Sequence, residues 1–125
     1  MTYLLDVSCL LALLWDNHVH HSRMQKWQVN QTLALCPISE LGFLRVSTVA
    51  FNAPMDDARQ SLSDWIARRA PGFIPCDERV LTGLRAPNGS KTADFYLAHL
   101  AEAHGMKLAT LDTEIAHPAS FLIPD

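Results

Sequence analysis

The chain has 125 residues, 49% of them hydrophobic, and carries 10 Lys and Arg residues against 13 Asp and Glu residues. This length is typical of one domain with a core of its own, and we expect residues 1–125 to form a single domain. The net charge of −3 excludes a passive nucleic-acid coat, which needs an excess of cations to release counterions.

Short apolar segments alternate along the chain with segments of helical length. The sequence predicts a strand over residues 2–5, a helix over 9–15 capped by Ser8, a helix over 20–31, a strand over 33–36 and a helix over 39–50. It then predicts a helix over 54–69, a strand over 73–76, a short helix over 77–84, a loop over 85–90, a helix over 92–104 capped by Thr92, and strands over 107–111 and 120–123. This alternation is typical of an α/β fold with a parallel sheet.

The location of the protein follows from segments that the sequence lacks. No apolar run approaches the roughly 18 residues needed to cross a bilayer, and no basic segment precedes an apolar one at the N-terminus. The three cysteines, Cys9, Cys36 and Cys76, lie in apolar surroundings without CxxC spacing. We therefore expect a cytoplasmic protein with no membrane contact, no signal peptide and reduced thiols in its core.

Four acidic residues follow predicted strands or begin predicted helices. Asp6 comes directly after the first strand, Glu40 and Asp94 lie in first turns of helices, and Asp112 follows the fourth strand. Because ligands bind beyond the carboxyl ends of strands in an open parallel sheet, the four carboxylates should meet at one edge. Carboxylate oxygens suit Mg²⁺ or Mn²⁺, which can activate water and stabilise charge on a phosphate.

Each acid also has an ordinary structural explanation when it is taken alone. Asp6 could cap the first helix, Asp112 could be a turn residue, and Glu40 and Asp94 could complement helix dipoles. Asp77 also follows a predicted strand, and we expect it to cap the short helix after it. The convergence of four acids from four parts of the chain is what favours a shared site.

The sequence around these acids is similar to that of a known family. The matching segments, in order, are residues 4–12 around Asp6, 39–41 around Glu40, 94–105 beginning at Asp94 and 108–112 ending at Asp112. With them the chain resembles PIN-domain ribonucleases, particularly the toxins of bacterial VapBC toxin–antitoxin systems. Two positions depart from the pattern: Ser8 stands where Asn is commoner, and no aromatic residue follows Asp112.

The resemblance implies a fold, an activity and partners. The fold would be a three-layer α/β/α PIN-like domain with a mainly parallel sheet of four to five strands. The activity would be metal-dependent cleavage of structured RNA, with one or two Mg²⁺ or Mn²⁺ ions held by Asp6, Glu40, Asp94 and Asp112. Ser8 or Thr110 would orient the attacking water or a ligand carboxylate. The partners would be RNA, a small antitoxin protein and a second copy of the chain in a homodimer.

Several alternatives remain open at this point. The chain could be a PIN-like interaction module without activity, or a PIN nuclease outside a toxin–antitoxin system. A haloacid-type phosphoryl-transfer domain would need a second Asp two residues after Asp6, where Ser8 stands. A receiver domain would need a phospho-accepting Asp after the third strand, which Asp77 could imitate, and a Lys after the fifth, which the sequence does not supply.

Two groups of polar side chains outside the acids have more than one interpretation. His18, His20 and His21 could bind zinc or RNA, but no Cys or carboxylate joins them at ligand spacing, which favours solvated imidazoles at a helix start. Arg68 and Arg69 are expected to neutralise the C-terminal end of their helix. Five other cations could contact phosphates: Arg23, Lys26, Arg45, Arg85 and Lys91.

Overall fold

The computed structural model describes residues 1–125 and contains one parallel sheet of five strands. The strands are β1 (Thr2–Leu5), β2 (Thr32–Leu35), β3 (Gly72–Phe73), β4 (Lys107–Thr110) and β5 (Ser120–Leu122). The order across the sheet is β3-β2-β1-β4-β5. No residue of the central strands β1 and β4 is exposed, as is typical of a parallel sheet covered on both faces.

Helices cover both faces of this sheet. They are α1 (Val7–Leu14), α2 (His21–Gln28), α3 (Pro37–Val49), α4 (Met55–Arg69) and α5 (Thr92–Ala103). Because successive strand residues point to opposite faces, Leu5 packs into one core with α1 to α4, whereas Leu4 packs into a second core with α5. This arrangement confirms the three-layer α/β/α fold. No helix combines the length and the apolar character that a bilayer crossing requires.

The start of α1 differs from the prediction. Asp6, with an extended backbone, is the capping residue, and its Oδ1 accepts a hydrogen bond of 2.8 Å from the Cys9 amide. The Ser8 hydroxyl donates to the same oxygen at 2.7 Å. The prediction that Ser8 caps this helix is therefore wrong, because the carboxylate three residues before Cys9 is better placed to satisfy its free amide.

The segment after β3 also differs from the prediction. The strand ends at Phe73 because its one neighbour, β2, ends at Leu35, the residue that pairs with Phe73. Only a 3₁₀ turn, Val80–Thr82, forms where a helix over 77–84 was expected. Asp77 caps nothing; its Oδ1 lies 2.8 Å from Nε2 of His104 at the end of α5. This long-range contact replaces the local one.

Two smaller expectations are also wrong. Cys9 and Cys36 are buried, but Cys76 is exposed because it lies beyond the end of β3. Lys91, rather than Thr92, occupies the capping position of α5, and Thr92 is the first helical residue. The preceding residues, Gly89–Lys91, form a second 3₁₀ turn.

Gly42 allows α1 and α3 to approach closely. A Cβ atom on Gly42 would lie 2.2 Å from Cγ2 of Val7, whose branched side chain has little freedom to move. We expect Gly42→Ala to lower the free energy of unfolding by about 1–3 kcal/mol, as overpacking does. Urea denaturation measures this change. Gly89→Ala is the control, because nothing lies within 4 Å of that Cβ position; equal losses in the two variants would contradict the packing argument.

Candidate active site

Asp6 lies at the carboxyl end of β1 and is almost wholly buried, with 1% of its surface exposed. Its amide donates to the carbonyl oxygen of Ala109 at 3.2 Å, which places it beside the end of β4. Burial raises the pKa of the Asp6 carboxyl, while hydrogen bonds from Thr110, Ser8 and Cys9 oppose the rise. The side chain is thus fixed in orientation before any ligand binds.

Asp94 lies in the first turn of α5 and is half-buried. Its pKa is raised to about 6, first by burial and then by the charges of Asp6 and Asp112, while the charge of Lys91 acts against the rise. No hydrogen bond is among the influences on this carboxyl. Asp94 is therefore a carboxylate without a donor in a cluster with excess negative charge, which a cation would relieve.

Asp112 follows β4 and is held on both of its oxygens. Its Oδ1 accepts from the Glu114 amide at 2.8 Å, and its Oδ2 lies 2.6 Å from Nζ of Lys91. These contacts hold the pKa of Asp112 below its usual value. Its own amide donates to the Thr110 hydroxyl at 3.0 Å. Thr110 therefore links Asp6 to Asp112.

Glu40 is not among the groups whose charges act on Asp94. It is in the first turn of α3, and burial alone raises its pKa, without a contribution from the other acids. Its side chain lines a cavity of about 510 Å³ between α3 and α4, together with Leu41 and Arg59. The structure thus groups Asp6, Asp94 and Asp112, and leaves the role of Glu40 a prediction.

Ser39 is a supporting residue that the sequence analysis missed. Its hydroxyl donates to the carbonyl oxygen of Leu5 at 2.7 Å, so the start of α3 is tied to the end of β1 beside Asp6. Ser39 is fully buried, and a buried hydroxyl needs such a partner. A serine immediately before the first acid of a helix was the available signal.

The acidic side chains are better suited to a Mg²⁺ or Mn²⁺ ion that keeps several water ligands than to an ion bound by protein side chains alone. No three His, Cys, Asp or Glu side chains lie close enough to one another to hold one ion together. Mg²⁺ usually keeps several waters and is held through one or two carboxylates, so a spread set of aspartates suits it. Asp94, which lacks a donor, and Asp6, which faces it, are the side chains best suited to this role.

The histidine cluster does not form a zinc site. Nδ1 of His18 accepts from the His20 amide at 3.0 Å, and Nδ1 of His21 lies 2.8 Å from the carbonyl oxygen of Ala12. These nitrogens are used locally and the three rings are partly buried rather than solvated, so only the helix start, at His21, agrees with the favoured interpretation.

Two arginines donate hydrogen bonds to backbone carbonyl groups elsewhere in the fold. Arg23 donates to the carbonyl oxygens of Ile123 and Pro124, which fixes the end of the chain rather than a phosphate. Arg69 donates to the carbonyl oxygens of Gln28 and Gln31, so it neutralises the end of α2 and not that of its own helix. Arg69 neutralises the C-terminal end of a helix, as expected, but that helix is α2 and not α4.

Comparisons with known proteins agree with this fold and site. The PIN domain family model matches residues 3–120, and the chain belongs to the PIN-domain family. Its curated relatives place it more narrowly, among the VapC proteins. Ribonuclease VapC38 of Mycobacterium tuberculosis is 36% identical over 90% of this chain and 86% of that protein. Ribonuclease VapC39 of the same organism is 32% identical over 96% of this chain and 95% of that protein.

A solved structure shares the architecture. A chain in the crystal structure of VapBC2 from Rickettsia felis, bound to a DNA fragment from their promoter, superposes with a TM-score of 0.67. The match covers 98% of this chain and 97% of that one at 15% identity, so it shows the fold alone. The resemblance inferred from the four acidic segments is confirmed, and the haloacid and receiver alternatives are excluded.

The raised pKa of Asp94 predicts how stability depends on pH in chelator-treated protein. Between pH 7 and 5 the folded state takes up a proton at Asp94 that the unfolded chain does not, so acidification should stabilise the fold. We expect a gain of about 0.5–1 kcal/mol, less than the full shift gives because the group is half-exposed. His18 and His117 have lowered pKa values and act in the opposite direction. The measurement is therefore the difference between the parent and Asp94→Asn in urea unfolding, and parallel pH profiles would contradict the prediction.

Proposed function

We propose that this chain is a metal-dependent endoribonuclease that acts as the toxin of a toxin–antitoxin system, with residues 1–125 as a single PIN domain. The curated relatives named ribonuclease cover at least 90% of the chain. The observation that carries the proposal is the aspartate cluster, in which Asp6 and Asp112 follow the adjacent strands β1 and β4 and their charges act on Asp94. Because the proposed substrate is RNA, we also propose that the protein acts in the cytoplasm.

The side chains of the cluster divide the work between them. Asp6 and Asp94 would hold Mg²⁺ or Mn²⁺, with Glu40 in the first turn of α3 as a further ligand and Asp112 in a lesser part. Such an ion would lower the pKa of a water molecule and stabilise the charge that develops on the scissile phosphate. Ser8 and Thr110 donate hydrogen bonds to Asp6, which orient its carboxyl group and oppose the rise in its pKa that burial causes.

The intact acid set argues against the interaction-module alternative. A PIN-like domain kept only for protein association has no need of Asp94, whose burial beside two other carboxylates destabilises the fold. A PIN nuclease outside a toxin–antitoxin system would have the same cluster. Only a dependence on an antitoxin separates that alternative from the proposal.

Cleavage by the purified chain tests the activity. We expect structured RNA to be cut in Mg²⁺ or Mn²⁺ and to stay intact in EDTA, and sequencing of the cut ends identifies the target site. The Asp94→Asn variant, purified in the same way, controls for a contaminating nuclease. RNA left intact by folded parent protein in both metals would overturn the proposal.

The antitoxin is proposed to cover the acids and to insert a cation among them. Lys91 already places an ammonium group 2.6 Å from Asp112 within this cluster, so the site accommodates one. A partner's Arg or Lys directed at Asp94 would neutralise the carboxylate that lacks a donor. The cluster would then be closed to both metal and RNA.

We expect the chain to form a homodimer, as the resemblance implies. Small domains with apolar helical faces commonly form two-fold dimers, and Leu41 and Val49 on α3 are 66% and 70% exposed. Light scattering at tens of micromolar should give twice the chain mass of 13.9 kDa. A monomer under these conditions would contradict the expectation.

A further inference from the structure

Lys91 is the one cation inside the aspartate cluster. We propose that its ammonium group takes the position of a second metal ion, so that this site binds a single divalent ion beside Asp6 and Asp94. The inference rests on the proposed function, because it concerns the metal ion of the same site. It assigns Lys91 a positioning role and fixes the number of ions.

The surroundings of the ammonium group are those of a bound cation. Nζ of Lys91 lies 2.6 Å from Oδ2 of Asp112 and 3.4 Å from Oε2 of Glu114. The Lys91 side chain is 18% exposed, and its ammonium group is held between the partly buried Asp112 and the exposed Glu114. Two carboxylates thus converge on a position that a metal ion could otherwise occupy.

The backbone holds Lys91 in place. The Asn88 side chain accepts from the Lys91 amide at 3.2 Å and from the Ser90 hydroxyl at 2.6 Å, which fixes the turn that ends at Lys91. Lys91 is also the capping residue of α5, three positions before Asp94. The same helix start therefore positions both the ammonium group and the free carboxylate.

Lys91 leaves Asp112 with little capacity for a metal ion. One oxygen of Asp112 already accepts from the Glu114 amide at 2.8 Å, and the other is engaged by Lys91. Lys91 offsets the charge of Asp112, which leaves Asp6 and Asp94 as the two aspartates available to a single divalent ion. Without Lys91, the carboxylates of Asp112 and Glu114 would have no cation between them, and their two negative charges would attract a second ion.

Counting bound Mn²⁺ tests this directly. Titration of the full chain, with free Mn²⁺ followed by electron paramagnetic resonance, should give one ion for the parent and two for Lys91→Met. We expect the second ion to bind at least ten times more tightly to Lys91→Met than to the parent. Lys91→Arg, which keeps the charge, should bind one ion. Lys26→Met, which removes an exposed lysine on α2, should also bind one ion.

Two further variants keep the test decisive if Lys91→Met unfolds. Asp112→Asn should keep one ion with its affinity unchanged within about threefold, and Lys91→Met/Asp112→Asn should return to one ion. A parent that binds two ions, or a folded Lys91→Met that binds one, would overturn the inference. A parent that binds one ion and cuts no RNA would overturn the proposed function and leave the inference standing.

Discussion

Asp94→Asn should lower RNA cleavage by about a thousandfold or more while the protein stays folded. The amide keeps the shape of the side chain but removes the charge that holds the divalent ion, and such an ion contributes several kcal/mol to charge stabilisation in the transition state. Asp6→Asn and Glu40→Gln should give losses of similar size. Asp112→Asn should give a smaller, graded loss, because Lys91 and the Glu114 amide already occupy its oxygens.

Stability measurements separate the loss of chemistry from a loss of fold. In EDTA, Asp94→Asn should be at least as stable as the parent, because the charges of Asp6 and Asp112 no longer oppose a third charge. Mg²⁺ should stabilise the parent by binding only its folded state, and this shift should shrink in the variant. Asp16→Asn, an exposed carboxylate beyond the other end of α1, is the matched control. Full metal-dependent cleavage by folded Asp94→Asn would show that the proposed site is wrong.

The sheet and the aspartate cluster could be predicted because both follow from local pattern. The short, largely apolar runs that became β1 and β4 do not alternate polar with apolar residues, so they predict strands buried on both faces. Asp6 directly follows β1, Asp112 lies two residues after β4, and parallel strands bring their carboxyl ends to one edge. The position of Asp94 needed only the helix start before it.

The contacts that differ from prediction depend on residues far apart in the chain. Asp77 pairs with His104 and Lys91 pairs with Asp112, over separations of 27 and 21 residues, and no local pattern encodes either pair. Glu40 was placed on the correct turn, but the direction of its side chain along the α3–α4 cavity depends on how those helices pack. The sequence offered both Ser8 and Asp6 as the cap of α1, and the structure shows that Asp6 takes this role.

Asp6 both caps α1 and belongs to the aspartate cluster, and both roles affect its charge. As the cap of α1 it accepts from an amide of the first turn, and the positive end of that helix favours its ionised form. Burial favours the neutral form and raises the pKa of Asp6, and the hydrogen bonds from the hydroxyls of Ser8 and Thr110 oppose this rise. The fold thus keeps a buried carboxylate available to a cation, and Asp94, with no donor, is left to respond when the cation arrives.

Expression of this chain alone should arrest bacterial growth, and co-expression of its antitoxin should restore it. Uncontrolled cleavage of a cellular RNA stops growth, whereas a partner that inserts a cation beside Asp94 blocks both metal and substrate. Colony counts of induced against uninduced cells measure the effect.

The Asp94→Asn variant, induced to the same soluble level, should leave growth unimpaired and should still bind the antitoxin if packing around the cluster contributes most of the affinity. Candidates for the antitoxin are the small proteins encoded beside this one. Normal growth with abundant soluble parent protein and no partner would argue against a toxin. Arrest that no neighbouring protein relieves would leave a PIN nuclease outside a toxin–antitoxin system as the function, because the catalytic cluster would be active without a dedicated inhibitor.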